Sequence, residues 1–350
     1  MHSLPTVKAA AAHAAPVWLD PAASAEKAAA WIAEAARHGA ELVAFPESFL
    51  PGFPLWAALH APIRTHAHFA RFAAASIFAD GPEITRIRQA AARACVFVSL
   101  GFSERDPASV GALWNSNVLI GDDGAVLVHH RKLVPTFFEK LAWNPGDGAG
   151  LLVADTRLGR IGALICGENT NPLARFALMA QGEQIHVSSY PPAWPTRPPA
   201  EGGNYDNRAA NRIRAAAHCF EAKCFGVVAT GCLDKAAMDD LADGDRAAAA
   251  VLEATPAGAS FFVDPTGAPI GEERTEEGLA YAELDLARCV EPKRFHDVVA
   301  GYNRFDVFDL SVRRSRLAPV RFREVTERPE QEEPGWDVRR PTPLRLLAEG

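Results

Sequence analysis

Short apolar runs that stop at turn residues alternate, over roughly the first 290 positions, with stretches in which apolar residues recur at helical spacing. Residues 7–12 read as a first strand, and 21–38 as a helix with Asp20 or Ser24 as cap and Gly39 as stop. Residues 42–45 form an apolar strand that halts at Pro46-Glu47. Strand, helix, strand is the signature of a βαβ unit. The alternation resumes with a helix over 82–94, strands over 96–102 and 116–120, and a hairpin through Gly121-Asp122-Asp123-Gly124 into 125–132. A strand over 161–165, a helix over 171–181, a strand over 185–189 and a helix over 207–223 follow, then strands over 225–230, 259–263 and 278–284. Hairpins beside βαβ units predict an α/β fold with mixed sheets, two of them back to back, and not a parallel barrel.

Two segments break the pattern. Residues 236–250 are rich in Asp and Ala and read as an exposed loop or a mobile helix. From Ser311 the chain carries nine arginines, no lysine, seven acidic residues and several prolines. A domain over 1–310 is therefore expected, followed by a charged tail over 311–350 that is extended, disordered or interface-forming.

Composition narrows the class. With 48% hydrophobic and 23% charged residues the chain is globular, and 36 Lys+Arg against 43 Asp+Glu gives a net charge of −7, which offers no footprint for nucleic acid. No apolar run approaches the roughly 18 residues of a membrane span. Lys8 and His13 interrupt the Ala-rich start, so a secretory signal is not expected and the cytoplasm is the expected location. Six cysteines without a C-x-x-C pair then read as free thiols. His129-His130, His66-x-His68 and the trio Cys219, Cys224 and Cys232 match no usual zinc spacing, and Glu201-Gly202-Gly203-Asn204 is no phosphate loop. Neither metal nor cofactor is expected.

The candidate chemistry lies at strand ends. Cys166 follows the run 160–165 and precedes Gly167-Glu168-Asn169, with a helix beginning near Asn171-Pro172. This places a thiol at a strand-to-helix turn, where backbone N–H groups favour a thiolate. Glu47 follows the strand over 42–45, and Lys132 ends the run that contains His129-His130-Arg131. A carboxylate, an ammonium and a thiol at three strand ends supply a base, a stabiliser of negative charge and a nucleophile.

These segments resemble a known family. Phe45-Pro46-Glu47, His130-Arg131-Lys132-Leu133 leading to Pro135-Thr136 and Glu139, and Cys166-Gly167-Glu168-Asn169 resemble the Glu-Lys-Cys motifs of the nitrilase (carbon-nitrogen hydrolase) superfamily. Residues 143–148, 172–191 and 302–308 resemble its nitrilase branch, and the likeness covers about 5–310. The resemblance implies a four-layer αββα sandwich and a homo-oligomer built from dimers that pair through their helices. It implies Glu47 as general base, Lys132 as stabiliser of the tetrahedral species, Cys166 as nucleophile and Glu139 as a second carboxylate that positions the lysine or the substrate. It also implies a small-molecule nitrile converted to acid and ammonia through a covalent thioimidate, some amide escaping as by-product. An amidase or carbamoylase using the same residues is the alternative, and a non-catalytic scaffold need retain none of the three. Many nitrilases carry a tryptophan after the nucleophile where this chain has Gly167, which implies a wider pocket or one repacked by another residue. Residues 51–56 and 190–195, rich in proline and aromatics, are candidate pocket walls.

Overall fold

The apolar runs pair into two mixed sheets. The computed structural model describes residues 4–318 and 320. Its strands are β1 (Thr6–His13), β2 (Leu42–Ala44), β3 (Phe97–Arg105), β4 (Leu113–Ile120), β5 (Val126–Arg131), β6 (Ala154–Thr156), β7 (Gly159–Ile165), β8 (Ile185–Tyr190), β9 (Phe225–Thr230), β10 (Ser260–Val263), β11 (Pro269–Arg274) and β12 (Gly278–Asp285). One sheet has the order β12-β1-β2-β3-β4-β5 and the other β11-β10-β9-β8-β7-β6. Parallel strands β1, β2 and β3 run inside the first, and β7, β8 and β9 inside the second, with antiparallel neighbours on either side. The helices are α1 (Pro21–Arg37), α2 (Trp56–Leu59), α3 (His66–Ala75), α4 (Pro82–Ala94), α5 (Pro172–Met179), α6 (Asn207–Ala222), α7 (Lys235–Ala242) and α8 (Arg246–Ala254).

Side-chain alternation on the strands explains the layering. On β1, Ala10 and Ala12 face Ile32 of α1 and Ile84 and Ile87 of α4. Val7, Ala9 and Ala11 point the other way, into a core shared with Ile161, Ile185, Val187, Phe225 and Val227 of the second sheet. Behind that sheet α6 buries Ala215, Cys219 and Ala222 against Val228 and Phe261. The order helix, sheet, sheet, helix is the expected αββα sandwich. α1 begins as expected, with the Asp20 carboxylate accepting from Ala23 N at 2.9 Å and Pro21 in the first turn.

Residues 236–250 fall mostly within α7 and α8, each started by an aspartate whose side chain accepts a backbone N–H, Asp234 from Ala237 and Asp245 from Ala247. Strands β6 and β11 lie at opposite edges of one sheet, and α2 and α3 follow the Glu47 turn; none of the four was expected. At the far end, Arg314 Nη2 donates to Leu151 O at 2.8 Å and Arg316 Nη2 to His129 O at 2.8 Å. The rest of the charged tail, 319 and 321–350, lies outside the described residues. No helix among the described residues is long and apolar enough to cross a membrane.

Candidate active site

The two sheets bring all four candidate residues into one buried cluster. Lys132, just past β5, donates from Nζ to Glu47 Oε1 at 2.7 Å and to both Glu139 oxygens, at 2.8 and 2.7 Å. The side chains of Lys132, Glu47 and Glu139 are fully enclosed. Cys166, just past β7, is also buried, and Glu47, Glu139 and Cys166 each place a polar atom within 4.8 Å of the others. Asn115 Nδ2 adds a bond to Glu47 Oε1 at 2.7 Å, and Thr136 N holds Glu139 Oε2 at 2.9 Å. The backbone is left-handed at Ser48 (φ 48°), Phe137 (φ 49°) and Cys166 (φ 49°). Non-glycine residues hold that conformation only where their surroundings over-determine it, and here it recurs next to Glu47, near Glu139 and at Cys166 itself.

Burial dominates the electrostatics. It pushes Glu47 above the usual carboxylate range despite the Lys132 ammonium beside it. Glu139 rises to about 7, chiefly through burial and with Glu47 adding to the rise against the pull of Lys132. Burial alone would lower Lys132, but Glu139 and Glu47 outweigh it and hold the ammonium above its ordinary value. Burial and then Glu47 push the Cys166 thiol well up, against the expectation of a thiolate favoured by backbone N–H groups. The turn at Cys166–Thr170 is a single 3₁₀ segment, too short for a helix dipole to offset that burial. Burial therefore favours the neutral thiol at Cys166 and raises the basicity of the Glu47 carboxylate beside it.

Neighbouring polar groups fix the two sheets to each other. Glu168 accepts from Leu133 N at 2.6 Å, next to Lys132, and from Ile165 N at 2.9 Å, next to Cys166. Its other neighbour is His130 Nε2 at 2.9 Å; burial would raise Glu168, but His130 and the two backbone donors hold it below its usual range. Glu104 accepts from Arg131 and lies 2.8 Å from His129 Nε2, so both histidines of the His129-His130 pair brace β5. The two candidate walls also meet, because Trp194 stacks on Phe138 at 4.4 Å between ring centres and Phe53 packs edge-on against Trp194 at 6.1 Å.

Residues 8–294 match the carbon-nitrogen hydrolase family. This chain belongs to the carbon-nitrogen hydrolases. It is 38% identical over 315 residues to a bromoxynil-specific nitrilase of Klebsiella pneumoniae subsp. ozaenae, covering 90% of this chain and 87% of that one. It is 34% identical to an aliphatic nitrilase of Rhodococcus rhodochrous, covering 90% of this chain and 85% of the relative. Among solved structures, Nit3 of Saccharomyces cerevisiae, a member of branch 10 of the nitrilase superfamily, superposes with a TM-score of 0.65 at 18% identity, covering 87% of this chain and 97% of that one.

Asn115, Thr136 and Glu168 bond to this candidate site or its flanking backbone, and sequence reasoning left them without a role. Glu168 stands inside the quoted Cys166-Gly167-Glu168-Asn169 motif, so its place was visible though its partners were not. Gly167 does not simply open the pocket. A Cβ there would lie 2.7 Å from Thr136 Oγ1, so the threonine that holds Glu139 through its backbone occupies the space beside the glycine. Gly167→Ala is expected to cost about 1–3 kcal/mol by overpacking, and Thr136→Ala in the same chain to recover most of it. Denaturant unfolding of the two single variants and the double variant measures this; independent, additive costs would show that the contact has no weight.

Proposed function

We propose that this hydrolase converts an organic nitrile and two waters to the carboxylic acid and ammonia. The observation that carries the reading is the enclosed contact of Lys132 with both Glu47 and Glu139, set beside the Cys166 thiol. Glu47 takes the proton of Cys166 as sulfur attacks the nitrile carbon, and returns it to the nitrogen that receives the π pair. Lys132 stabilises the charge that develops there, from a side chain with no exposure to solvent. Glu139 positions Lys132. The first water adds to the neutral thioimidate, and the tetrahedral species expels ammonia to leave a thioester. The second water releases the acid and restores the thiol. Collapse of the tetrahedral species through the carbon–sulfur bond instead releases amide after one water.

Two nitrilases among the relatives support a nitrile as substrate, and their different names leave the acyl group to be found by assay. The proposed acting form is a homo-oligomer built from dimers, a reading supported by Ile213 and Phe220, which α6 exposes seven residues apart on one face. The test is release of ammonia, acid and amide from matched aliphatic, arylaliphatic and aromatic nitriles and their amides. Nitrile turnover with slow amide turnover is expected. Turnover of amides alone would replace this reading with the amidase one.

A further inference from the structure

Behind Cys166 lies a second buried polar cluster that the reaction above does not use. Glu183, His186 at the start of β8 and His218 of α6 have side chains no more than 1% exposed. Glu183 Oε1 stands 2.8 Å from His186 Nδ1 and Oε2 stands 2.7 Å from His218 Nε2, with the two rings stacked at 3.6 Å between centres. The β7 residue against Glu183 is Gly162, where a Cβ would lie 2.1 Å from Glu183 Oε1. The second sheet thus forgoes a side chain to seat this carboxylate.

The chain of contacts continues to the candidate nucleophile. His186 Nε2 lies 2.8 Å from Asn169 Oδ1, and Asn169 Nδ2 donates to Cys166 O at 3.1 Å and Leu164 O at 3.3 Å. Two carbonyl acceptors fix the orientation of the Asn169 amide, so Oδ1 is an acceptor, and the Ser188 hydroxyl also donates to it at 3.1 Å. His186 Nε2 is therefore the donor to Asn169, and Nδ1 faces Glu183. Burial would raise Glu183, but His186 and His218 outweigh it and hold it at about 2; burial, then His186, lowers His218 to about 4. Glu183 is thus ionised and lies within hydrogen-bond distance of both rings. The three groups are of a type that also binds zinc, but each N–O separation is that of a direct hydrogen bond.

We propose that Glu183, His186 and Asn169 form a relay that holds the left-handed turn of Cys166, with His186 a positioning residue for that thiol. Glu183 orients the imidazole, the imidazole orients the Asn169 amide, and the amide anchors the Cys166 carbonyl, which fixes where Sγ projects. The inference rests on Cys166 being the nucleophile.

The test compares His186→Gln, whose amide reaches Asn169, with His186→Asn, which reaches only Glu183, and with His186→Leu, which reaches neither, each in the full chain. The Gln variant is expected to keep kcat within about fivefold, while Asn and Leu lose about 10- to 100-fold with KM within about twofold. The rate of Cys166 carbamidomethylation by iodoacetamide, followed by mass analysis of the peptide that contains Cys166, is expected to fall in the same order. Equal kcat in the Gln and Asn variants, or a folded Leu variant within about threefold of wild type, overturns the relay. So does stoichiometric zinc in the wild-type protein that His186→Gln loses. If the Leu variant does not fold, the Gln and Asn contrast decides alone. If the wild type turns over neither nitriles nor amides, the proposed reaction fails, and the iodoacetamide rates still decide the relay.

Discussion

Cys166→Ala is expected to lower acid and ammonia formation by at least about 10⁴-fold and to remove the covalent adduct seen by intact mass during turnover. Its thiol alone among the described cysteines shares the Glu47 and Glu139 cluster, whereas Cys219 and Cys224 pack behind the second sheet among Ala215, Ala222 and Val228. Cys166→Ser is expected to fare little better, because Glu47 would have to remove a proton from a far weaker acid than a thiol. The fold is expected to persist, since the bonds that Glu168 makes to Leu133 N and Ile165 N stay in place. The readout is ammonia release with mass analysis of stalled reactions. Turnover within about 100-fold of wild type in the Ala variant would remove Cys166 as the nucleophile.

The three strand ends were legible because each residue closes an apolar run bounded by turn residues: Glu47 after 42–45, Lys132 after 125–131 and Cys166 after 160–165. What joins them was not. Asn115 reaches Glu47 across 68 positions, and Glu168 reaches Leu133 across 35, and no local pattern encodes either contact. The state of the Cys166 thiol was misjudged for the same reason, because burial sums contributions from both sheets whereas the turn offers only its own N–H groups. β11 escaped notice because nearly all of its residues are exposed and lack apolar alternation. Residues 236–250 read as either a loop or a mobile helix because alanine and acidic residues predominate there, although Asp234 and Asp245 were available in the sequence as caps.

Lys132→Met is expected to abolish turnover and to destabilise the fold more at pH 8 than at pH 5. The ammonium is the cation shared by two carboxylates whose side chains have no exposure to water. An apolar replacement leaves Glu47 and Glu139 facing each other uncompensated, a class of defect that costs about 3–5 kcal/mol. The protein can reduce that cost by taking up protons. Both carboxyls already lie above their ordinary values with the lysine in place, Glu139 at about 7, and loss of the opposing charge raises them further. Groups whose folded values lie above their unfolded ones favour the folded state at pH below the unfolded value, and that contribution is lost as pH rises through the folded value. The deficit relative to wild type should therefore widen as pH rises past 7, and denaturant unfolding at the two pH values measures it. A deficit of equal size at both, or none, would mean that the carboxylates do not depend on Lys132 for their charge balance. Lys132→Arg is not expected to rescue activity, because a planar guanidinium cannot occupy the point at which one nitrogen meets three oxygens.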